Sequence, residues 1–131
     1  MSKINCIIVD DEINNIENLS SMLGRHCPEV AILATASNAD EAVSVIEKHH
    51  PDLVFLDIQM PEKSGFEMLK SLKKVDFEII FITAYDQYGI QAIKFSALDY
   101  LLKPLISDEL KQAVAKAREK ISNKLNNTNI E

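Results

Sequence analysis

Five residues of this chain are of types that could do chemistry together: Asp10, Asp11, Asp57, Thr83 and Lys103. Each stands just past an apolar run. Asp10-Asp11 follow the run at 4–9, Asp57 follows 53–56, Thr83 follows 79–82 and Lys103 follows 98–102. If those runs are parallel strands, their carboxyl ends share one rim, and open parallel sheets bind ligands beyond that rim. Taken singly, each residue has an ordinary reading. Asp10 or Asp11 would cap a helix, Asp57 would serve the turn before Met60-Pro61, Thr83 suits a strand and Lys103 a wet surface. Chance does not readily place all of them at the same relative position after four of five runs.

Three carboxylates and one ammonium on a rim are out of balance. Two unit charges ~5 Å apart at an effective dielectric of ~20 repel by ~3 kcal/mol, so three pairs give roughly 10 kcal/mol before screening. Either a proton is retained or a cation binds. A hard oxygen donor set without cysteine or histidine favours Mg²⁺, with Mn²⁺ as a substitute. With Mg²⁺ and Lys103 the formal sum is −3 + 2 + 1 = 0, and vacant metal positions would remain for a phosphoryl group. Asp57 then becomes a candidate nucleophile forming an acyl phosphate. Lys103 and the metal would hold the phosphoryl oxygens, and Thr83 could donate a hydrogen bond. The added phosphate makes the site net negative, which would draw Thr83 and Lys103 inward.

The elements that must position these residues are legible as well. Four of the five apolar runs are near-continuous, as strands buried on both faces are; the run at 30–34 is broken by alanines and suits an edge. Helical spacing fills the gaps, at Ile16, Leu19 and Leu23, at Ala39, Ala42, Val43 and Ile46, and at Phe66, Leu69 and Leu72. It continues at Ile90, Ile93 and Ala97 and at Leu110, Val114, Ala117 and Ile121. Ser64 with Glu67 reads as a capping box, Asn38 with Glu41 as a second N-terminal signal, and Ser107 with Asp108 and Glu109 as a third. Five β-α repeats imply an α/β fold: a parallel five-stranded sheet with helices on both faces.

The 131 residues suit one domain at 1–121, with 122–131 (SNKLNNTNIE) expected as a polar tail or the start of a linker. The net charge of −6 leaves no overall basic footprint for nucleic acid, so none is expected to bind here. No apolar run approaches the ~20 residues of a membrane span, and the acidic start does not suit a signal peptide; a cytoplasmic setting is expected. Cys6 and Cys27 lack partner spacing and read as reduced thiols, Cys6 as a small buried hydrophobe.

Four stretches, in order, resemble the receiver domain of two-component response regulators. IIVDDE resembles its acidic pair, VFLDIQMP its phosphoacceptor strand, FITAY its switch hydroxyl and DYLLKP its switch aromatic and lysine. The resemblance spans roughly residues 3–121. It implies a flavodoxin-like (βα)5 sandwich of strand order 2-1-3-4-5, with Asp57 as phosphoacceptor. It also implies metal binding by Asp11 and Asp57 directly, by Asp10 through water and by the Gln59 carbonyl. Thr83 and Tyr100 would be switch residues, Lys103-Pro104 a cis peptide, and Gln59 and Tyr85 candidates for tuning signal lifetime. The stretch 84–104 is similar to receivers of LytTR-type (LytR/AlgR) transcription regulators, departing from them at Gly89 and Ile93, where alanine and phenylalanine are usual. A receiver of this kind is a signalling module whose only catalysis is its own phosphorylation and dephosphorylation. Its implied partners are a sensor histidine kinase and a second copy, met through the fourth helix, fifth strand and fifth helix. A DNA-binding output domain would follow in a longer regulator, and ten residues leave no room for it. A stand-alone relay is the other expectation.

Two other functions fit parts of the pattern. A Mg²⁺ phosphatase with an aspartyl nucleophile needs a second acid two residues on, where Gln59 stands. A flavodoxin-like flavin carrier needs room for an anionic phosphate at the first loop, which is acidic and poor in glycine. His26, His49 and His50 lack ligand spacing, and the three glycines form no phosphate-cradling loop.

Overall fold

A computed structural model describes residues 3–130. Strands β1 (Ile4–Val9), β2 (Val30–Ala36), β3 (Leu53–Leu56), β4 (Glu78–Thr83) and β5 (Asp99–Leu102) alternate with helices. These are α1 (Ile13–His26), α2 (Ala39–His49), α3 (Gly65–Ser71), α4 (Gly89–Lys94) and α5 (Ser107–Ile130). The strands form one parallel sheet in the order β2-β1-β3-β4-β5, the expected flavodoxin-like (βα)5 sandwich.

Alternation along the strands is present but hidden, because both faces are covered. Cys6, Ile8, Phe55, Ile80 and Ile82 face a core completed by Leu19 and Leu23 of α1 and by Leu110 and Val114 of α5. Ile7, Val9, Val54, Leu56, Ile79 and Phe81 face a second core with Ala42 and Ile46 of α2 and Met68 and Leu69 of α3. Period-two geometry with two apolar partners produces a continuous apolar run. β2 is an edge strand and is mostly half-exposed. It carries an extra residue: Ile32 pairs with Cys6 and Ala34 with Ile7, so Leu33 bulges out of register. The strand reaches Ala36, two residues beyond the expected end. Among the described residues, no helix is long and apolar enough to cross a membrane.

The helix starts are set by local chemistry. Ser64 Oγ accepts from Glu67 N at 3.1 Å while Glu67 Oε1 accepts from Ser64 N at 3.0 Å, a complete capping box. Asn38 Oδ1 accepts from Glu41 N at 2.8 Å. Ala92 is the buried residue of α4, while Ile90 and Ile93 are 75% and 76% exposed. The helix is too short to cover more than one position with core, so the isoleucine spacing marks its outer side. α5 departs in length. Its apolar stripe from Leu110 to Ile121 continues to Leu125, and the polar segment expected as a tail from Ser122 is helical through Ile130.

Candidate functional site

Backbone hydrogen bonds carry the sheet ladder past the strand ends and set the site residues in place. Asp57 N donates to Val9 O (3.0 Å), Asp10 N to Ala36 O (3.0 Å) and Lys103 N to Thr83 O (2.8 Å). Neighbouring strands therefore deliver Asp10, Asp57, Thr83 and Lys103 to one rim. Among the described residues, Asp10, Asp57 and Thr83 are the polar side chains fully inside the buried class. Burying two acids away from water is costly unless they are partnered. Here the partner is shared: Lys103 Nζ donates to Asp10 Oδ2 at 2.7 Å and to Asp57 Oδ2 at 2.9 Å.

The remaining oxygens divide the roles. Asp10 Oδ1 accepts from the backbone of Glu12 (2.9 Å) and from Asn15 Nδ2 (3.3 Å), which leads the chain into α1. Asp10 thus braces the turn into α1 without capping it: the N-cap is Glu12, which makes no side-chain cap hydrogen bond. Asp57 Oδ1 accepts from Gln59 N at 3.3 Å. Asp11 is exposed, yet one carboxylate oxygen from each of Asp10, Asp11 and Asp57 lies within 4.8 Å of the others. An all-carboxylate set at that spacing fits a hard divalent cation. The cis Lys103-Pro104 peptide is present.

The charge imbalance appears in the titration behaviour. Burial raises the Asp57 carboxyl pKa; the Lys103 hydrogen bond and charge work against it, and the Asp10 charge works with it. For Lys103, burial favours the neutral amine, but the hydrogen bonds and charges of Asp10 and Asp57 together raise its pKa. A lone ion pair would lower the acid and raise the base. Both rise here: burial is the main cause for Asp57, helped by the Asp10 charge, while Lys103 is raised by serving two acids at once.

Beside the acids lies a cleft of about 510 Å³ lined by Asp11, Asp57, Gln59, Ala84, Tyr85 and Lys103, among others. Tyr85 is its one aromatic lining residue and is tied to the residues behind it. Thr83 Oγ1 accepts from Tyr85 N at 3.4 Å, and the Tyr100 hydroxyl donates to the Tyr85 carbonyl. Tyr100 is partly buried and packs near Phe81. Gln59 Nε2 donates to Tyr88 Oη at 2.6 Å. The fold therefore brings together every predicted site residue: Asp10, Asp11, Asp57, Gln59, Thr83, Tyr85, Tyr100 and Lys103. Asn15 and Tyr88 were missed. Asn15 lies in the first turn of α1, five residues past Asp10, so local spacing suffices to find it. Tyr88 carried no local signal, because its partner is 29 residues away.

The model of the response regulator receiver domain matches residues 6–115. The chain belongs to that family. The receiver is a signalling module whose catalysis is confined to its own phosphorylation and dephosphorylation, and its acidic cluster is that of a Mg²⁺-dependent phosphoacceptor. Among its relatives is a response regulatory protein of Shewanella oneidensis, 40% identical over 120 residues, which are 91% of this chain and 50% of that one. The sensory transduction protein LytT of Bacillus anthracis is 40% identical over 115 residues, 86% of this chain and 46% of that one. The receiver thus spans about half the length of the curated relatives it matches. Among solved structures, the response regulator TrrA of Thermotoga maritima, crystallised with Mg²⁺ and a beryllium fluoride, is 37% identical. The TM-score is 0.76, with 89% of this chain and 99% of that one covered.

Proposed function

We propose that Asp57 accepts a phosphoryl group from the phosphohistidine of a sensor kinase, or from a small acyl phosphate, and that the receiver passes on the change as an altered surface. The observation that carries this reading is the shared lysine: one ammonium bridges two buried acids with a third acid alongside. The likeness to TrrA, itself crystallised with Mg²⁺ and a beryllium fluoride, supports the same chemistry. Asp11, Asp57 and the Gln59 carbonyl would hold Mg²⁺, with Asp10 contributing through water. Bound there, the metal supplies positive charge to the phosphoryl oxygens.

The chain's own residues do the rest. An Asp57 carboxylate oxygen attacks phosphorus, the P–N bond to the donor imidazole breaks, and its electron pair leaves with the imidazole. Burial keeps water scarce around Asp57, which strengthens every charge interaction in the site. Lys103 Nζ, already 2.9 Å from Asp57, moves its hydrogen bond to a phosphoryl oxygen. Thr83 supplies a hydroxyl hydrogen bond to another, and Tyr100 follows into the space that Thr83 vacates.

The output is a change in α4, β5 and α5. Ile90, Ile93 and Leu102 are exposed apolar side chains on α4 and β5, and they support pairing with a second copy after phosphorylation. The 84–104 segment and the relatedness to LytT support a LytTR-type, DNA-binding output domain in a longer regulator, acting in the cytoplasm. Residues 1–121 would be the receiver and the last ten its connection. Intact mass after incubation with acetyl phosphate and Mg²⁺ tests the central claim. The unmutated protein should gain one phosphoryl group and Asp57→Asn none. No gain in the unmutated protein with Mg²⁺ bound would overturn the reading.

A further inference from the structure

Gln59 is exposed, and an exposed glutamine ordinarily samples many rotamers. Here its amide is tied down. Tyr88 Oη accepts from Gln59 Nε2 at 2.6 Å, a bond from the loop after β3 to the residue that opens α4. The tyrosine is itself anchored. Its ring meets Phe66 edge-on at 6.1 Å and Tyr85 edge-on at 6.3 Å. Phe66 is 8% exposed and stacks on Phe95 with centroids 5.2 Å apart, so the anchor reaches into the core. Gln59 and Tyr85 both line the cleft over Asp57. Tyr88 therefore holds both tuning residues from behind, one by a hydrogen bond and one by ring contact.

We propose that Tyr88 is a positioning residue that lengthens the life of the phosphoryl group on Asp57 by turning the Gln59 amide toward α4 and away from attacking water. The proposal rests on the phosphoacceptor reading above. Loss of the phosphoryl group is hydrolysis. A water oxygen forms a bond to phosphorus, the bond from phosphorus to the Asp57 oxygen breaks, and its electron pair returns to the carboxylate. The water's protons leave with inorganic phosphate and solvent. A free carboxamide two residues from Asp57 could donate to and accept from that water and so align it, as glutamines do in phosphoryl-transfer sites. Committing Nε2 to Tyr88 fixes the direction of the amide and removes it from that task.

Decay of phosphorylated protein, followed by intact mass after removal of acetyl phosphate with Mg²⁺ retained, tests this. The four proteins are the unmutated chain, Tyr88→Phe, Gln59→Ala and the double variant. Tyr88→Phe keeps the ring that meets Phe66 and Tyr85 and loses only the hydroxyl. It should decay several-fold faster than the unmutated chain. Gln59→Ala and the double variant should decay alike, because without the amide the tyrosine hydroxyl has nothing to hold. A merely structural role for Tyr88 would speed decay equally in both backgrounds, and that result would overturn the proposal. Decay of Tyr88→Phe at the unmutated rate or slower would also overturn it, with the phosphoacceptor reading intact. Failure of the unmutated chain to take up phosphate at all would instead remove the reading beneath it.

Discussion

The two ends of the sheet carry similar residues and treat them differently. At the amino ends of the strands, three acids have a partner each. Glu29 pairs with Arg118 and Asp99 with Lys116, both at 3.0 Å, and Asp52 accepts from Asn5 N at 2.9 Å. The basic partners there are about half exposed. At the carboxyl ends, Asp10 and Asp57 are buried and share Lys103. Exposed pairs of the first kind contribute little to stability. A buried cluster short of one cation is a standing cost that folding elsewhere must offset, and it is the feature that a metal and a phosphoryl group can use.

Removing the cation at each end should separate the two most widely. Lys103→Met leaves Asp10 and Asp57 facing each other without compensation and should cost roughly 3 kcal/mol at neutral pH. Arg118→Met should cost less than about 1 kcal/mol. Urea unfolding measures both. The Lys103→Met deficit should shrink as pH falls, because Asp57, whose pKa burial already raises, then takes up a proton in the folded state. Similar losses for the two variants would erase the distinction between the ends.

A smaller effect tests the packing behind the acids. Gly65 opens α3 directly against the end of β3: a Cβ there would stand 2.5 Å from the Asp57 carbonyl oxygen. Gly65→Ala must push the α3 start or the Asp57 backbone aside, at about 1–3 kcal/mol. Phosphorylation by acetyl phosphate should slow as well, since Asp57 moves with its backbone. A variant as stable and as reactive as the parent would show that the loop yields freely.

The smallest expected change is a gain. The folded-state pKa of Asp57 is raised above its ordinary value of 3.8, chiefly by burial. The folded protein therefore holds a proton to higher pH than the unfolded chain does. Stability drops as pH rises from near 3.8 through the folded pKa, and the drop is complete above it. Asp57→Asn removes that slope. In metal-free buffer it should raise the melting temperature by a few degrees at neutral pH, and the gain should fade as the buffer is made acidic. An unchanged or lower melting temperature at neutral pH would show that Asp57 is not a destabilising charge.

Where the reading of the chain succeeded, the physics was local or periodic. Apolar runs and helical spacing follow from the side-chain directions of strands and helices, so five repeats, the capping box at Ser64 and the strand ends could be placed. Asp57, Thr83 and Lys103 became legible as a group because parallel strands must align their carboxyl ends. Spacing does not settle matters in which context chooses between equal local options. Ile90 and Ile93 have core-like spacing on a helix that buries Ala92 instead. The polar residues after Ile121 have no capping break, and the helix simply runs on through them.

The order of residue types along the chain determined that three acids, a hydroxyl and an ammonium would meet on one rim, because chain order and strand polarity leave few other arrangements. Only the tertiary structure decided how they are shared. Lys103 bridges Asp10 and Asp57 while Asp11 stays exposed, and the Gln59 amide donates to Tyr88. Contacts between residues so far apart in the chain depend on side-chain rotamers and ångström-scale packing, and no periodicity in the sequence encodes those.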